Sequence, residues 1–220
     1  MAQSYQSVGR ERNGRGARRG VERREAILRA AIAVVGEQGS EALTHRAVAQ
    51  RASVPLSATT YYFDSKEELF REAMGLAARE EVARLERLVL ELAPQELTPA
   101  EWARELSADL TADLVAEPAK HVALYELALK AARDPALRSE VARWQESHLR
   151  LAELGLRAAG SSDPVTDARI VVATLGGLIL GQLVSSDPNF EHDVLQPTLE
   201  RLFESLRAQT PAETAAGQRP

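Results

Sequence analysis

A chain of 220 residues has the length of one large domain or two small ones, with ample material for a buried core. Its 45% hydrophobic and 27% charged residues match a soluble globular protein. The absence of cysteine excludes a disulfide scaffold, a thiol nucleophile and a thiolate zinc site, and fits a reducing, cytoplasmic setting. The net charge of −5 is uneven: residues 1–62 carry ten arginines and five glutamates, so that quarter is basic and the remainder acidic. A polyanion is therefore expected to meet the N-terminal quarter alone.

Residues 1–20 place Arg10, Arg12, Arg15, Arg18 and Arg19 among Gly, Ser and Gln with almost nothing to bury. This predicts a disordered basic arm and no signal peptide. From Val21 the pattern turns helical, with Ile27, Ala30, Ala31, Val34 and Val35 at spacings of three and four until Gly39 stops the run. A short helix follows, with Thr44 as N-cap and Val48, Ala49 and Ala52 facing inward. Ser53-Val54-Pro55 breaks it, and Pro55 suits the first turn of a third helix ending near Tyr62. Ser65-Lys66-Glu67-Glu68 is a capping box that opens a long amphipathic helix through Leu69, Phe70, Ala73, Ala77 and Leu85.

The second half repeats helix starts at Thr98-Pro99-Ala100-Glu101, Asp134-Pro135 and Asp163-Pro164, with a weaker one at Glu117-Pro118. No segment alternates with period two between turn residues, so no strand is expected. The prediction is an all-α protein of about nine helices. The expected organisation is a disordered basic arm over 1–20, a three-helix head over 21–66, a long helix leading into a five- or six-helix body over 67–208, and a polar tail over 209–220.

Two short helices joined by a tight turn behind a longer one form the plan of a helix-turn-helix. Ala49 supplies the small residue where the helices approach, and Val54 plugs the turn. The segment 55–62 is short and polar, which suits insertion into a DNA major groove. Tyr61-Tyr62-Phe63 gathers aromatics whose hydroxyls can reach phosphates while Phe63 anchors a core. On pattern alone, an ordinary helical corner fits as well as a DNA-binding head.

The stretches Leu43-Thr44-His45-Arg46-Ala47-Val48-Ala49, Ala52-Ser53-Val54-Pro55 and Tyr61-Tyr62-Phe63-Asp64-Ser65-Lys66-Glu67-Glu68-Leu69 resemble the N-terminal domain of TetR-family (tetracycline-repressor-like) transcriptional regulators. The resemblance covers residues 21–75. It implies that Thr44, His45 and Arg46 approach the DNA backbone and base edges, and that Leu56, Ser57, Ala58, Thr60, Tyr61 and Tyr62 lie on the recognition helix. It further implies that Lys66, at a helix N-terminus, contacts phosphate. Departures from the family pattern are Ser53 where glycine is usual, and Pro55 where a serine cap is usual. Thr60 and Tyr62 also stand where Tyr and His are common. These changes touch the DNA sequence read rather than DNA binding itself.

In the body, Trp102 and Leu106, then His121 and Tyr125, then Trp144 and His148 interrupt apolar helical stripes with polar handles. That suits a mostly apolar small ligand held by a few hydrogen bonds, as the resemblance also implies, and equally suits core packing. No metal site is expected, because neither histidine has a carboxylate at i+3 or i+4 on its face. The apolar stretch 170–184 holds Thr174 and Gln182; it is too short to span a bilayer and is expected to be a buried helix. Gly176, Gly177 and Gly181 along it permit close helix approach. The helices near 163–187 and 193–208 are expected to form a homodimer interface, so that two recognition helices meet an approximately palindromic operator. There is no GxSxG, HExxH or phosphate-binding glycine loop, so neither an enzyme nor a cofactor is expected. The combined expectation is a homodimeric transcriptional repressor released by a ligand.

Overall fold

The computed structural model describes residues 4–207, with side chains from Arg18 onward. Among these residues the chain forms nine α-helices and no strand. The helices are α1 (Ser4–Gln38), α2 (His45–Arg51), α3 (Leu56–Tyr62), α4 (Lys66–Leu92) and α5 (Pro99–Ala116), then α6 (Pro118–Arg133), α7 (Arg138–Ala158), α8 (Pro164–Ser185) and α9 (Gln196–Leu206). Single 3-10 turns occupy Ser40–Ala42 and Pro135–Leu137, and a π-helical turn spans Phe190–Leu195 just before α9. Residues 4–20, expected as a disordered arm, continue α1 as helix. Arginine and glutamate are good helix formers, and no proline interrupts that run. The tail over 209–220 lies outside the described residues.

Local chemistry sets the helix ends. Gly39 takes a φ of 83° just beyond α1, a left-handed conformation that a side chain would strain. The Thr98 hydroxyl accepts from the Glu101 N–H at 3.3 Å, while the Glu101 carboxylate accepts from the Thr98 N–H at 2.8 Å. This reciprocal box starts α5, and the backbone hydrogen bond from Thr98 holds the Glu101 carboxyl below its ordinary range. At the start of α4 the box is shifted. Ser65 Oγ accepts from Glu68 N–H, but Glu68 returns to the N–H of Asp64, at 2.6 Å.

The chain divides into two compact units. The first comprises Met1–Ala78 and Ala119–Leu137, the second Arg79–Pro118 and Arg138–Pro220. In the first, Ile27, Ala31 and Val35 of α1 are fully buried together with Leu43, Val48 and Phe63. Burial of a phenylalanine such as Phe63 contributes about 2–3 kcal/mol. The Arg24 guanidinium lies 5.1 Å from the Phe63 ring centroid and also bonds the Glu72 carboxylate at 3.1 Å.

Helix α6, assigned to the body by its position in the sequence, packs from Ala119 onward with the head helices. The reason is Gly36: a Cβ there would overlap the backbone carbonyl of Ala119, so only glycine admits this approach. The Lys130 ammonium completes the seam 4.8 Å from the Phe70 ring centroid.

In the second unit, α7 packs on α8 while α5 packs on α9 and the π turn. Its core gathers Trp102, Leu110, Leu114, Leu156, Val171, Leu195, Leu199 and Phe203. Arg84, mostly buried, is the hub of an ion-pair network: it pairs with Glu81 at 2.8 Å, Asp113 at 3.3 Å and Asp109.

Helix α8 is not the buried helix expected. Within one chain it buries only Asp167, Ala168 and Val171. Val165, Ile170, Leu180 and Val184 are exposed, and nothing of the chain approaches within 4 Å of where side chains at Gly176, Gly177 and Gly181 would begin. The helix is 22 residues long, with a mean hydropathy of 1.6 over its most apolar stretch. By length and composition alone it would cross a membrane, because it extends beyond the apolar stretch 170–184 on which the sequence expectation rested.

Candidate functional site

The turn between α2 and α3 is a Schellman motif. Ser53 N–H donates to the Gln50 carbonyl at 3.2 Å, and Val54 N–H donates to the Ala49 carbonyl at 3.0 Å. This pairing requires a left-handed residue after the cap, and Ser53 adopts it with a φ of 54°. A serine held there costs about 1 kcal/mol that glycine would not. Ser53→Gly is therefore expected to stabilise the head by up to about 1 kcal/mol, the gain being trimmed by the freer unfolded chain. Urea denaturation reads this directly, and a loss of stability would contradict the left-handed turn.

This turn fixes how α3 is presented. Thr59 is its inward residue: it is fully buried, and its hydroxyl donates to the Leu56 carbonyl at 2.8 Å. Leu56, Ser57, Thr60 and Tyr61 consequently face outward, with Ala58 and Tyr62 half-buried. Tyr61 is 81% exposed, too open to serve as a core residue, and stands edge-on to Tyr62 at 5.0 Å between centroids. Pro55 sits at the N-cap position of α3, one residue before the helix, and supplies no side-chain cap.

The remaining predicted contacts frame the same helix pair. Thr44 is exposed and caps α2, its hydroxyl accepting from Ala47 N–H at 3.1 Å, which leaves its own O–H free to donate. His45 is half-buried, with Nδ1 lacking a hydrogen-bond partner. Arg46 is exposed and forms no ion pair among the described residues, whereas nearby Arg51 is held by Glu37 at 2.6 Å. Lys66 begins α4, where the helix dipole favours an anion, and its ammonium donates to the Glu41 carbonyl at 3.3 Å. That ammonium has three donors, so one backbone contact does not exhaust it.

The second unit contains an apolar cavity of about 630 Å³, counted out to its mouth. Of the residues expected to bind ligand, Trp102, Leu106 and His148 line it. His121 and Tyr125 do not; they lie on the part of α6 that packs with the head. Trp144 does not line it either but sits one turn before His148, with ring centroids 5.1 Å apart, and its carbonyl lies 3.0 Å from His148 Nδ1. The sequence reading missed Leu85, Leu88 and Val89 of α4, Val172 and Leu175 of α8, and Phe203 of α9. Their only signal was membership of apolar stripes.

Burial lowers the pKa of His148 from its ordinary 6.5, partly offset by the hydrogen bond to Trp144. Folding therefore favours the neutral ring. As pH falls below about 6.5 the unfolded chain takes up a proton that the folded chain refuses, so this contribution to stability is lost on acidification. His148→Gln is expected to flatten the decline in stability followed by urea denaturation between about pH 7 and pH 5. An unchanged decline would show that the ring protonates without penalty.

Residues 27–73 match the family model for bacterial regulatory proteins of the tetR family, and residues 97–205 match the model for the tetracyclin repressor-like C-terminal domain. A solved member of the TetR family from Streptomyces coelicolor A3 is 34% identical, with 86% of this chain and 99% of that chain covered and a TM-score of 0.65. The chain belongs to the TetR family. A solved multidrug binding protein, EbrR, in complex with imidazole is likewise 34% identical over 86% of this chain and 98% of its own, with a TM-score of 0.63. Other structures of that protein hold ethidium, malachite green and proflavin. A transcriptional regulator from a Rhodococcus species, at 23% identity, 83% and 95% coverage and a TM-score of 0.68, shares the fold. No curated protein matches the chain significantly. This TetR-family chain is thus a DNA-binding transcriptional regulator, with α2 and α3 as its helix-turn-helix.

Proposed function

We propose that this TetR-family regulator is a homodimeric repressor that covers an approximately palindromic operator and leaves it when a small, mostly apolar ligand binds. The observation that carries DNA contact is the division of labour on α3. Thr59 alone faces inward, and the row Leu56, Ser57, Thr60 and Tyr61 is left without internal contacts to make. Leu56 suits a thymine methyl, while the hydroxyls and the unpaired Arg46 suit base edges and phosphates.

Dimerisation rests on α8, whose exposed apolar residues and open glycine surface are unsuited to water. A second copy covers that face and sets two recognition helices about 34 Å apart for successive major grooves. Ligand release rests on the apolar cavity, supported by the dyes and imidazole held by the similar multidrug binding protein. Helix α4 runs without interruption from Lys66 in the head to Leu85, Leu88 and Val89 at the cavity wall, so a ligand that displaces its second half also moves its first. Shifting the dimer from 99% bound to 99% free requires a differential affinity of about 5.5 kcal/mol between the two states.

Tyr61→Ala is expected to weaken operator binding by roughly tenfold or more, and Lys66→Ala to reduce the slope of log affinity against log salt by about one. Fluorescence anisotropy on an operator selected from random-sequence DNA measures both. If both variants kept wild-type affinity and salt slope, the head would be misplaced.

A further inference from the structure

We infer that the cavity of the second unit selects an uncharged, flat ligand carrying a hydrogen-bond acceptor for the indole N–H of Trp102. This rests on the ligand reading of the cavity proposed above and adds the chemistry of its occupant. Two observations carry it. The first is the wall: the cavity is lined by Leu, Val, Ala, Gly, Phe, Trp and His side chains, with no carboxylate, ammonium or guanidinium among them. A cation entering it loses its hydration and meets no counter-charge, which costs more than any apolar contact returns. The charges that act on His148 from nearby are Glu81 and Arg84, and these pair with each other at 2.8 Å.

The second observation is an unmet donor. Trp102 is 4% exposed, forms part of the cavity wall, and its Nε1–H has no hydrogen-bond partner. Buried indole N–H groups ordinarily find an acceptor, so a lone pair is missing at this site. The opposite handle is already defined. His148 donates from Nδ1 to the Trp144 carbonyl at 3.0 Å, which leaves Nε2 as an acceptor on a neutral ring. Gly155 of α7 lies against the indole six-membered ring, where a Cβ would come within 3.8 Å. The absence of a side chain there keeps the face of the ring clear for a flat partner.

Three linear tricycles of one size test this on the full-length protein by isothermal titration: xanthone, neutral with a carbonyl; xanthene, neutral without one; and proflavin, a cation at neutral pH. Xanthone is expected to bind at least about tenfold more tightly than proflavin, the penalty of an unpaired buried charge. It is expected to bind about fivefold more tightly than xanthene, the increment of one hydrogen bond. Trp102→Phe should abolish the difference between xanthone and xanthene while retaining binding of both. Should that variant fold poorly, the wild-type comparison of the three compounds decides alone. Proflavin binding as tightly as xanthone would overturn the inference and leave the ligand cavity standing. Binding of none of the three would overturn the ligand reading and the inference together.

Discussion

Replacement of Gly177 by arginine is expected to leave each chain folded but monomeric, with operator affinity lowered at least about a hundredfold through loss of the second half-site. The expectation follows from an asymmetry on α8. Within the chain nothing lies within 4 Å of where a Gly177 side chain would begin, so arginine fits the folded protomer without strain. Leu180 and Val184, 45% and 78% exposed, continue the same helix as an apolar surface that one chain leaves uncovered. Gly176, Gly177 and Gly181 allow another helix backbone to approach closely, and an arginine in that seam forces the two copies apart while burying a charge. Sedimentation reads the mass, circular dichroism the retained helix, and anisotropy the affinity. A dimeric Gly177→Arg variant would place the interface elsewhere.

Gly36→Ala is expected to have the opposite character: a change of one methyl group that disrupts the first unit itself. The added Cβ would overlap the Ala119 carbonyl, a backbone group with no rotamer to escape into. Either α1 and α6 separate, exposing Leu124 and Leu127 among others, or α6 slides along its axis. Overpacking of this kind costs about 3 kcal/mol, a large share of the 5–15 kcal/mol that holds a domain together. Urea denaturation should show the loss, whereas alanine at the exposed Gly177 should be nearly neutral to the folded chain. Equal stability of Gly36→Ala and wild type would mean that α6 does not dock where the structure has it.

What the sequence disclosed followed from how local each feature is. Caps are local: Thr44, Thr98 and Asp163 each accept a backbone N–H three residues on, so spacing alone located α2, α5 and α8. The all-helical class was visible for the same reason, since apolar residues recur at three and four throughout. The recognition surface was legible because Ser53-Val54-Pro55 marks a tight turn, and the resemblance supplied which side of α3 faces out. The left-handed Ser53 was not readable, because serine neither requires nor forbids a φ of 54°.

Long-range choices were hidden. An apolar stripe states that a helix face is covered but not by what. The stripe of His121 and Tyr125 on α6 looks like that of Trp102 and Leu106 on α5, yet only the latter line the cavity. The deciding residue, Gly36, is distant in sequence from Ala119, and a glycine within a helix ordinarily signals only a cost in helix propensity. Leu85, Leu88 and Val89 were hidden in the same way, as the inward side of a helix valued for its length. The long helical continuation of α1 to Ser4 ran against a composition that offers little to bury.

Selection of bound sequences from random duplex DNA, followed by anisotropy on the selected site and a scrambled one at two salt concentrations, tests the central claim most directly. The account predicts enrichment of an inverted repeat with half-sites about 34 Å apart, bound at least about a thousandfold more tightly than the scrambled duplex. It also predicts a steep fall in affinity with salt for both. No enrichment, with weak and equal binding to the two duplexes, would contradict a sequence-specific regulator.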